Sequence, residues 1–142
     1  MKKIYIVTGA NGHLGNTLIR LLRKQEADIR GLILPGEEIE NDGRVRYVEG
    51  DVRDIESLRP LFEDLEGKEV YVFHTAGIVD ISEKVSPLLY EVNVNGTKNV
   101  IALCREFGVR RLVYVSSVHA ILDTDRMSVL QVLKELSPEK VV

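Results

Sequence analysis

A glycine-rich segment near the start of the chain constrains the possible folds more than any other feature. Residues 8–15 read Thr-Gly-Ala-Asn-Gly-His-Leu-Gly, and they connect an apolar β-branched run at residues 4–7 to a stripe of leucines that begins at Leu14. Glycines at three-residue intervals between a strand and a helix permit a tight turn and a close approach of the backbone to its surroundings. The segment therefore predicts that the chain opens with a strand–turn–helix unit.

The remainder of the sequence alternates between β-branched runs and segments of helical periodicity. Several runs are apolar almost throughout, which is typical of strands that are buried on both faces of a parallel sheet. The predicted strands are residues 4–7, 29–34, 45–48, 70–73 and 112–115, and the predicted helices are stripes at 14–22, at 57–65 before Gly67, and at 87–107 before Gly108. This alternation indicates an α/β fold with a doubly wound parallel sheet of about five strands and flanking helices.

Composition excludes several classes of protein. The chain has 142 residues, of which 44% are apolar, enough for one globular domain and too few for two. The net charge of −3, with mixed signs along the chain, gives no basic footprint for nucleic acid. Cys104 is the single cysteine, so neither an intrachain disulfide nor a cysteine-based metal cluster can form. The apolar run at residues 4–7 is too short for a signal peptide or a membrane span. We therefore expect a cytoplasmic protein without a metal site.

The three glycines of residues 8–15 predict a phosphate-binding loop. Gly9 permits the tight turn, Gly12 lets the backbone approach a pyrophosphate, and Gly15 allows the helix to pack closely on the strand. Amide groups at the helix N-terminus would face the phosphates, whose charge the helix dipole favours. Glycines that serve the backbone alone are the alternative interpretation. The strand–turn–helix context favours a bound dinucleotide.

Five motifs, taken in order, resemble the extended branch of the short-chain dehydrogenase/reductase superfamily, which contains epimerases, dehydratases and reductases. After the loop, with its Gly-x-x-Gly-x-x-Gly spacing, come Gly50-Asp51-Val52-Arg53-Asp54, His74-Thr75-Ala76-Gly77, Asn93-Val94-Asn95-Gly96-Thr97 and Tyr114-Val115-Ser116-Ser117. The resemblance covers nearly all of residues 3–120. It implies a Rossmann-like domain over residues 1–120 that binds NAD or NADP, followed by a C-terminal segment at residues 121–142.

The same resemblance implies roles for individual residues. The implied cofactor-binding residues are Gly9, Asn11, Gly12, His13, Leu14, Gly15, Asp51, Val52, Thr75, Ala76, Gly77 and Ser116. The implied catalytic residues are Ser117, whose hydroxyl would hold the substrate oxygen, and Asn93, which would support the backbone of its helix. Asp51 would contact the adenine, although a solvated-turn or helix-capping role is the alternative. His74 and His119 are expected to be structural, because no metal or carboxylate spacing accompanies them.

The end of the second predicted strand bears on the choice between NAD and NADP. NAD sites usually place an acidic residue there, and NADP sites place an arginine nearby. Leu34 occupies the position at which many extended-family reductases carry arginine, and Glu37 and Glu38 follow a few residues later. Two carboxylates close to this point would repel a 2′-phosphate, so the sequence favours NAD.

The catalytic pair that the resemblance implies, Tyr-x-x-x-Lys, is not in the sequence. In the family a tyrosine is the acid/base for hydride transfer at a carbinol or carbonyl carbon, and the lysine lowers its pKa. None of the five tyrosines has a lysine four positions later, and none follows Ser117. Residues 137–142 resemble the stretch that leads into the catalytic helix of related reductases. We therefore expect the cofactor-binding part of an oxidoreductase or epimerase/dehydratase that is inactive alone, with the sheet incomplete at its C-terminal end.

Two other hypotheses remain open at this point. A non-catalytic, redox-sensing dinucleotide-binding module explains the absent tyrosine. A structural or interaction domain would also need no tyrosine, but the glycine loop argues against it because such a domain has no use for the loop. The expected partners are the dinucleotide and, once the chain is completed, a small-molecule substrate. Extended-family enzymes commonly dimerise through the helix predicted at residues 87–107, so a homodimer is a further possibility.

Overall fold

A five-stranded parallel sheet forms the centre of the computed structural model, which describes residues 1–78 and 86–116. The strands lie in the order β3-β2-β1-β4-β5. Their bounds are Lys3–Thr8 for β1, Asp28–Ile33 for β2, Val45–Glu49 for β3, Glu69–His74 for β4 and Arg111–Tyr114 for β5. The central strand, β1, pairs with β2 on one side and with β4 on the other, so the winding reverses at β1. This is the doubly wound, Rossmann-like α/β fold that the alternation predicts.

The helical segments cover both faces of this sheet. They are α1 at His13–Leu22, α2 at Ile55–Leu58, α3 at Pro87–Tyr90 and α4 at Thr97–Glu106. A 3₁₀ turn at Arg59–Phe62 continues α2, and a π-helical segment at Glu91–Gly96 joins α3 to α4. Within the described residues, none of these helices has both the length and the apolar composition that crossing a bilayer requires.

Alternate residues of β1 supply two separate hydrophobic cores. Ile4 and Ile6 are fully buried on the face that α2 and α4 cover, together with Leu103 of α4. Val7 is fully buried on the opposite face, where it packs in one cluster with Ile19 of α1. Burial of apolar side chains on both faces explains why β1 shows no polar alternation in the sequence.

The helix predicted over residues 57–65 is shorter than its apolar stripe. α-Helical geometry ends at Leu58, and the 3₁₀ turn that follows contains Pro60. Proline lacks the N–H that an α-helix needs at that point, so the chain tightens into a 3₁₀ turn instead. Leu65 still packs against the core, although it lies beyond the helical residues.

The single helix predicted over residues 87–107 is interrupted by the π-helical segment. A Cβ atom at Gly96 would lie 2.5 Å from Val52 Cγ2, so glycine is required where this segment crosses the loop after β3. π-Helical turns within α-helices frequently mark functional sites. The wider turn brings the family motif at residues 93–97 against the carboxyl end of β4.

Candidate functional site

A cleft of about 470 Å³ opens at the carboxyl edge of the sheet. The loops after β1, β2, β3 and β4 line it, together with α3 and the π-helical segment. Its lining residues are Gly9, Asn11, Gly12, His13, Leu14, Gly15, Leu32, Ile33, Leu34, Glu37, Gly50, Asp51, Val52, Arg53, Thr75, Ala76, Gly77, Ile78, Leu88 and Val92. Ligands of doubly wound α/β proteins bind at this edge, where the strand order reverses. A second depression, of about 670 Å³, includes Phe62 and Phe107 and lies near the amino end of β4, away from this edge.

The glycine loop packs so tightly that two of its glycines cannot be replaced without displacement of backbone. Gly9 has a φ of +65°, and a Cβ there would lie 2.9 Å from the backbone nitrogen of Ala76. A Cβ at Gly15 would lie 2.1 Å from the carbonyl oxygen of Gly9. At Gly12 φ is −74°, and an added Cβ would approach only the Gly9 oxygen, at 3.2 Å. Gly9 and Gly15 therefore shape the loop, whereas Gly12 leaves its surface open toward the cleft.

The N-terminus of α1 carries no acceptor of its own. Gly12 at the N-cap has no side chain to accept a hydrogen bond, and the first turn contains no acidic residue. The first residues of the helix, His13, Leu14 and Gly15, line the cleft. Backbone N–H groups and the positive end of the helix dipole therefore favour an anion at this point.

The turn after β4 is tied to the end of β1 by side-chain hydrogen bonds. The Thr8 hydroxyl accepts the backbone N–H groups of Thr75 and Ala76, each at 3.1 Å, and the Thr75 hydroxyl donates to the Thr8 carbonyl at 2.6 Å. Behind the turn, the imidazole of His74 is buried between Thr8 and Thr97. Burial lowers the pKa of His74 to about 4. His74 thus supports the turn from within the core and does not line the cleft.

Asp51 presents an ionised carboxylate to the cleft from the loop after β3. Arg53 donates to it from its backbone N–H at 2.9 Å and from Nη2 at 2.7 Å. The hydrogen bonds from the Arg53 side chain hold the pKa of the Asp51 carboxyl below its ordinary value. Helix α2 is capped by Asp54, which accepts the N–H of Glu56 at 3.1 Å. Asp54, and not Asp51, therefore caps α2, whereas the bond from the Arg53 N–H fits the turn role that was the other part of the alternative interpretation.

Glu37 returns to the end of β2 although it lies several residues beyond it in sequence. Gly36 has a φ of +85°, and a turn bond of 3.1 Å joins the Glu37 N–H to the Leu34 carbonyl. The turn places Glu37 Oε2 at 3.3 Å from the Leu34 backbone nitrogen, and Glu37 lines the cleft. The exposed Glu38 does not line it. The structure thus places an acidic side chain at the end of β2, where the linear sequence shows only Ile33 and Leu34.

Asn93 lies beside the cleft but does not line it, and its side chain hydrogen-bonds to the backbone of the segment after β4. Its side-chain amide accepts the N–H of Ile78 at 2.8 Å and donates to the Ile78 carbonyl at 2.9 Å. The expectation that this side chain serves its own helix is therefore incorrect, because the amide holds the chain that leaves β4. The π-helical geometry of residues 91–96 places Asn93 opposite Ile78.

Of the two serines that follow β5, the described part of the chain includes only Ser116. Ser116 is exposed beyond the end of β5 and does not line the cleft, although it was predicted to bind the cofactor. Ser117, predicted to be catalytic, lies outside the described residues, as do His119 and the segment at residues 121–142. The other eleven predicted cofactor-binding residues all line the one cleft.

Sequence reasoning missed most of the apolar wall of the cleft. Missed residues include Leu32, Leu34, Ile78, Leu88 and Val92. Leu34 and Ile78 follow strands closely, and that position alone signals a site at the carboxyl edge. Leu88 and Val92 carry no such signal, because their helical spacing is also that of core residues.

A sheet that reverses at β1, a glycine loop and an uncapped helix N-terminus define the class of Rossmann-like α/β proteins. Residues 6–137 match the 3-beta hydroxysteroid dehydrogenase/isomerase family, and the chain belongs to that family. The resemblance to extended short-chain dehydrogenases/reductases is thereby confirmed.

Individual relatives agree with this assignment. Human 3 beta-hydroxysteroid dehydrogenase type 7 is 37% identical over 129 residues, which cover 84% of this chain and 34% of the relative. Sterol demethylase protein B of Methylococcus capsulatus is 37% identical over 118 residues, 82% of this chain and 35% of the relative. A uronate dehydrogenase variant of Agrobacterium tumefaciens, solved in complex with NAD, is 26% identical and superposes with a TM-score of 0.69. The match covers 85% of this chain and 43% of the uronate dehydrogenase chain. The chain thus spans about a third of the length of these two curated relatives.

Proposed function

We propose that this chain is the dinucleotide-binding part of an NAD-dependent oxidoreductase that transfers hydride at a carbinol or carbonyl carbon. The observation that carries the proposal is the cleft at the reversal of the sheet, which opens onto the uncapped N-terminus of α1. Family membership and the uronate dehydrogenase bound to NAD support the same assignment.

The lining residues fit the parts of a dinucleotide in an order that follows the strands. The backbone amides of His13, Leu14 and Gly15 would hold the pyrophosphate near the carboxyl end of β1. The adenosine half would extend toward β2 and β3, where the ionised Asp51 can accept from the exocyclic amino group of adenine. The nicotinamide half would extend over Thr75–Gly77 at the end of β4. When bound, the nicotinamide ring supplies or accepts the hydride.

Catalysis requires groups that this sequence does not carry. A tyrosine with a lysine four residues later would move the substrate proton, and Ser117 would hold the substrate oxygen, as the resemblance implies. We expect the chain alone to bind the dinucleotide without turnover. The relatives named for 3 beta-hydroxysteroids and uronates support a ring hydroxyl or its ketone as the substrate of a longer protein. A longer reading frame without Tyr-x-x-x-Lys would instead favour the non-catalytic, redox-sensing module.

Replacing Gly12 tests dinucleotide binding directly. Gly12→Ala keeps an ordinary φ and adds one methyl group where the pyrophosphate would approach, so we expect the affinity for NAD to fall by roughly tenfold or more. Isothermal titration measures the affinity, and circular dichroism checks that the variant is folded. The control is Thr17→Ala, which changes an exposed residue one turn further along α1 and outside the cleft. If the folded wild-type chain bound neither NAD nor NADP, the proposal would be rejected.

Glu37 is the residue that we propose to favour NAD over NADP. Its carboxylate at the end of β2 can accept from the ribose hydroxyls of NAD and would repel a 2′-phosphate. We expect Glu37→Gln to reduce the ratio of NAD to NADP affinity by about tenfold. Glu38→Gln removes the same charge outside the cleft and should leave the ratio unchanged. Tighter binding of NADP than of NAD by the wild type would contradict the assignment.

Two further aspects of the proposal concern location and assembly. A chain with Cys104 as its single cysteine has no intrachain disulfide, which suits a reducing compartment such as the cytoplasm. Leu88 and Tyr90 of α3 are about half exposed, and the resemblance implies dimerisation through this helical stretch. Light scattering tests the dimer, and a monomer at high concentration would count against it.

A further inference from the structure

A buried chain of hydrogen bonds connects three of the family motifs behind the cleft. Thr8 belongs to the glycine-loop motif, His74 to the motif after β4, and Thr97 to the motif in the π-helical region. Thr8 Oγ1 lies 2.7 Å from His74 Nδ1, and His74 Nε2 lies 2.9 Å from Thr97 Oγ1. The exposed fractions of Thr8 and His74 are 2% and 1%, so water does not replace the bond between them, and the bond from His74 to Thr97 is partly buried. The Tyr114 ring stacks on the imidazole at 5.7 Å between centroids.

The Thr8 end of the chain determines which nitrogen of His74 is unprotonated. A hydroxyl oxygen has two acceptor lone pairs and one proton to donate. Both lone pairs of Thr8 are used, because the oxygen accepts the N–H groups of Thr75 and Ala76 at 3.1 Å each. The remaining bond, to His74, must therefore carry the Thr8 proton, and Nδ1 is the acceptor.

The Thr97 end leads independently to the same tautomer. The Thr97 hydroxyl donates its proton to the Asn93 carbonyl at 2.7 Å. It can then only accept from His74, so Nε2 carries the imidazole proton. Both ends require a neutral ring, which agrees with the lowering of the His74 pKa by burial. A proton added at Nδ1 would meet an oxygen with no free lone pair.

We propose that His74, as the neutral Nε2–H tautomer, is a positioning residue that orients the Thr8 hydroxyl and thereby holds the Thr75–Ala76 turn along the cleft. Thr8, His74 and Thr97 can each donate a hydrogen bond to one partner only. A change at Thr97 therefore affects the turn through His74 and Thr8. The turn is the part of the cleft that β4 contributes, and its position affects the dinucleotide that the proposed function requires.

Thr97→Val tests this arrangement because valine has nearly the shape of threonine and lacks the hydroxyl. The Nε2–H of His74 then loses its acceptor, and we expect amide hydrogen exchange at Thr75 and Ala76 to become roughly tenfold faster. The affinity for NAD should fall by a similar factor. Thr97→Ser keeps the hydroxyl and should restore both quantities toward wild type. A purely steric role for Thr97 predicts the opposite ranking, because valine preserves the shape better than serine does.

A second measurement on the wild-type chain needs neither the variant nor the dinucleotide. Long-range ¹H–¹⁵N spectra distinguish a protonated from an unprotonated imidazole nitrogen, and we expect protonation at Nε2 alone. Protonation at Nδ1, or unchanged exchange at Thr75 and Ala76 in folded Thr97→Val, would overturn the proposal. Because the tautomer is read without NAD, a failure to bind NAD would reject the proposed function and leave this result intact.

Discussion

At the scale of single residues, distances between atoms explain why three positions around the cleft are occupied by glycine. Gly9, Gly15 and Gly96 each leave out a side chain that would otherwise lie within 3 Å of a neighbouring atom. The three differ from Gly12, which faces the cleft and where an added methyl group would meet only the Gly9 oxygen, at 3.2 Å. The glycine spacing in the sequence shows that small residues are needed, and only the packed structure shows which neighbour requires each one.

Gly15→Ala should therefore damage the fold as well as the site. The new methyl group would lie 2.1 Å from the Gly9 carbonyl oxygen, so the loop backbone must move. We expect the free energy of unfolding to fall by roughly 3 kcal/mol, as for severe overpacking. Urea denaturation measures this change, and Gly12→Ala, with its closest contact at 3.2 Å, is the matched comparison. Equal stability of the two variants would contradict this account of the loop.

At the scale of secondary-structure elements, a helix as short as α2 depends strongly on its cap. Helix α2 has four residues, and it positions the segment that carries Asp51 and Arg53. The Ser57 hydroxyl accepts the Asp51 N–H at 2.9 Å, so the first turn of α2 and the acidic loop are joined directly. A helix of this length has little stability of its own. Its cap and its contacts with the core therefore determine whether it forms.

Asp54→Ala should remove that cap at a measurable cost. The carboxylate accepts the Glu56 N–H at 3.1 Å, and loss of a helix cap of this kind costs about 1 kcal/mol. Chemical denaturation should show this decrease in the free energy of unfolding. Asp54→Asn retains the acceptor oxygen and should remain close to wild type. A decrease of the same size in both variants would show that the charge of Asp54, rather than its hydrogen bond, stabilises α2.

At the scale of the whole molecule, stability depends on keeping His74 neutral. Burial lowers its pKa from 6.5 to about 4, so between these values the unfolded chain binds a proton that the folded chain does not. The stabilising contribution is present above pH 6.5 and is lost as the pH falls toward 4.

The expected loss is about 3 kcal/mol across that range, because each pKa unit corresponds to about 1.4 kcal/mol. Denaturation midpoints measured at successive pH values test it, with His74→Gln as the comparison. The glutamine variant cannot take up this proton, so its stability should decline less between pH 6.5 and 4. The exposed His13→Gln provides the control and should follow the wild type. Parallel profiles for all three proteins would contradict the assignment to His74.

The sequence by itself determined the fold and most of the residues that line the cleft. The pattern identified the five described strands, because β-branched apolar runs alternate along the chain with segments of helical spacing. The ordered motifs identified eleven residues of the cleft, because the motifs follow the carboxyl ends of the strands, where the loops that line it begin.

The tertiary structure alone decided how distant segments meet. It brought Glu37 back to the end of β2 through a turn at Gly36, assigned the cap of α2 to Asp54, and directed the Asn93 amide to Ile78. It also closed the hydrogen-bond chain through His74. Periodicity and local motifs record what each segment requires of its own backbone. Side-chain hydrogen bonds between segments depend on distances that are set only when the sheet and helices have packed.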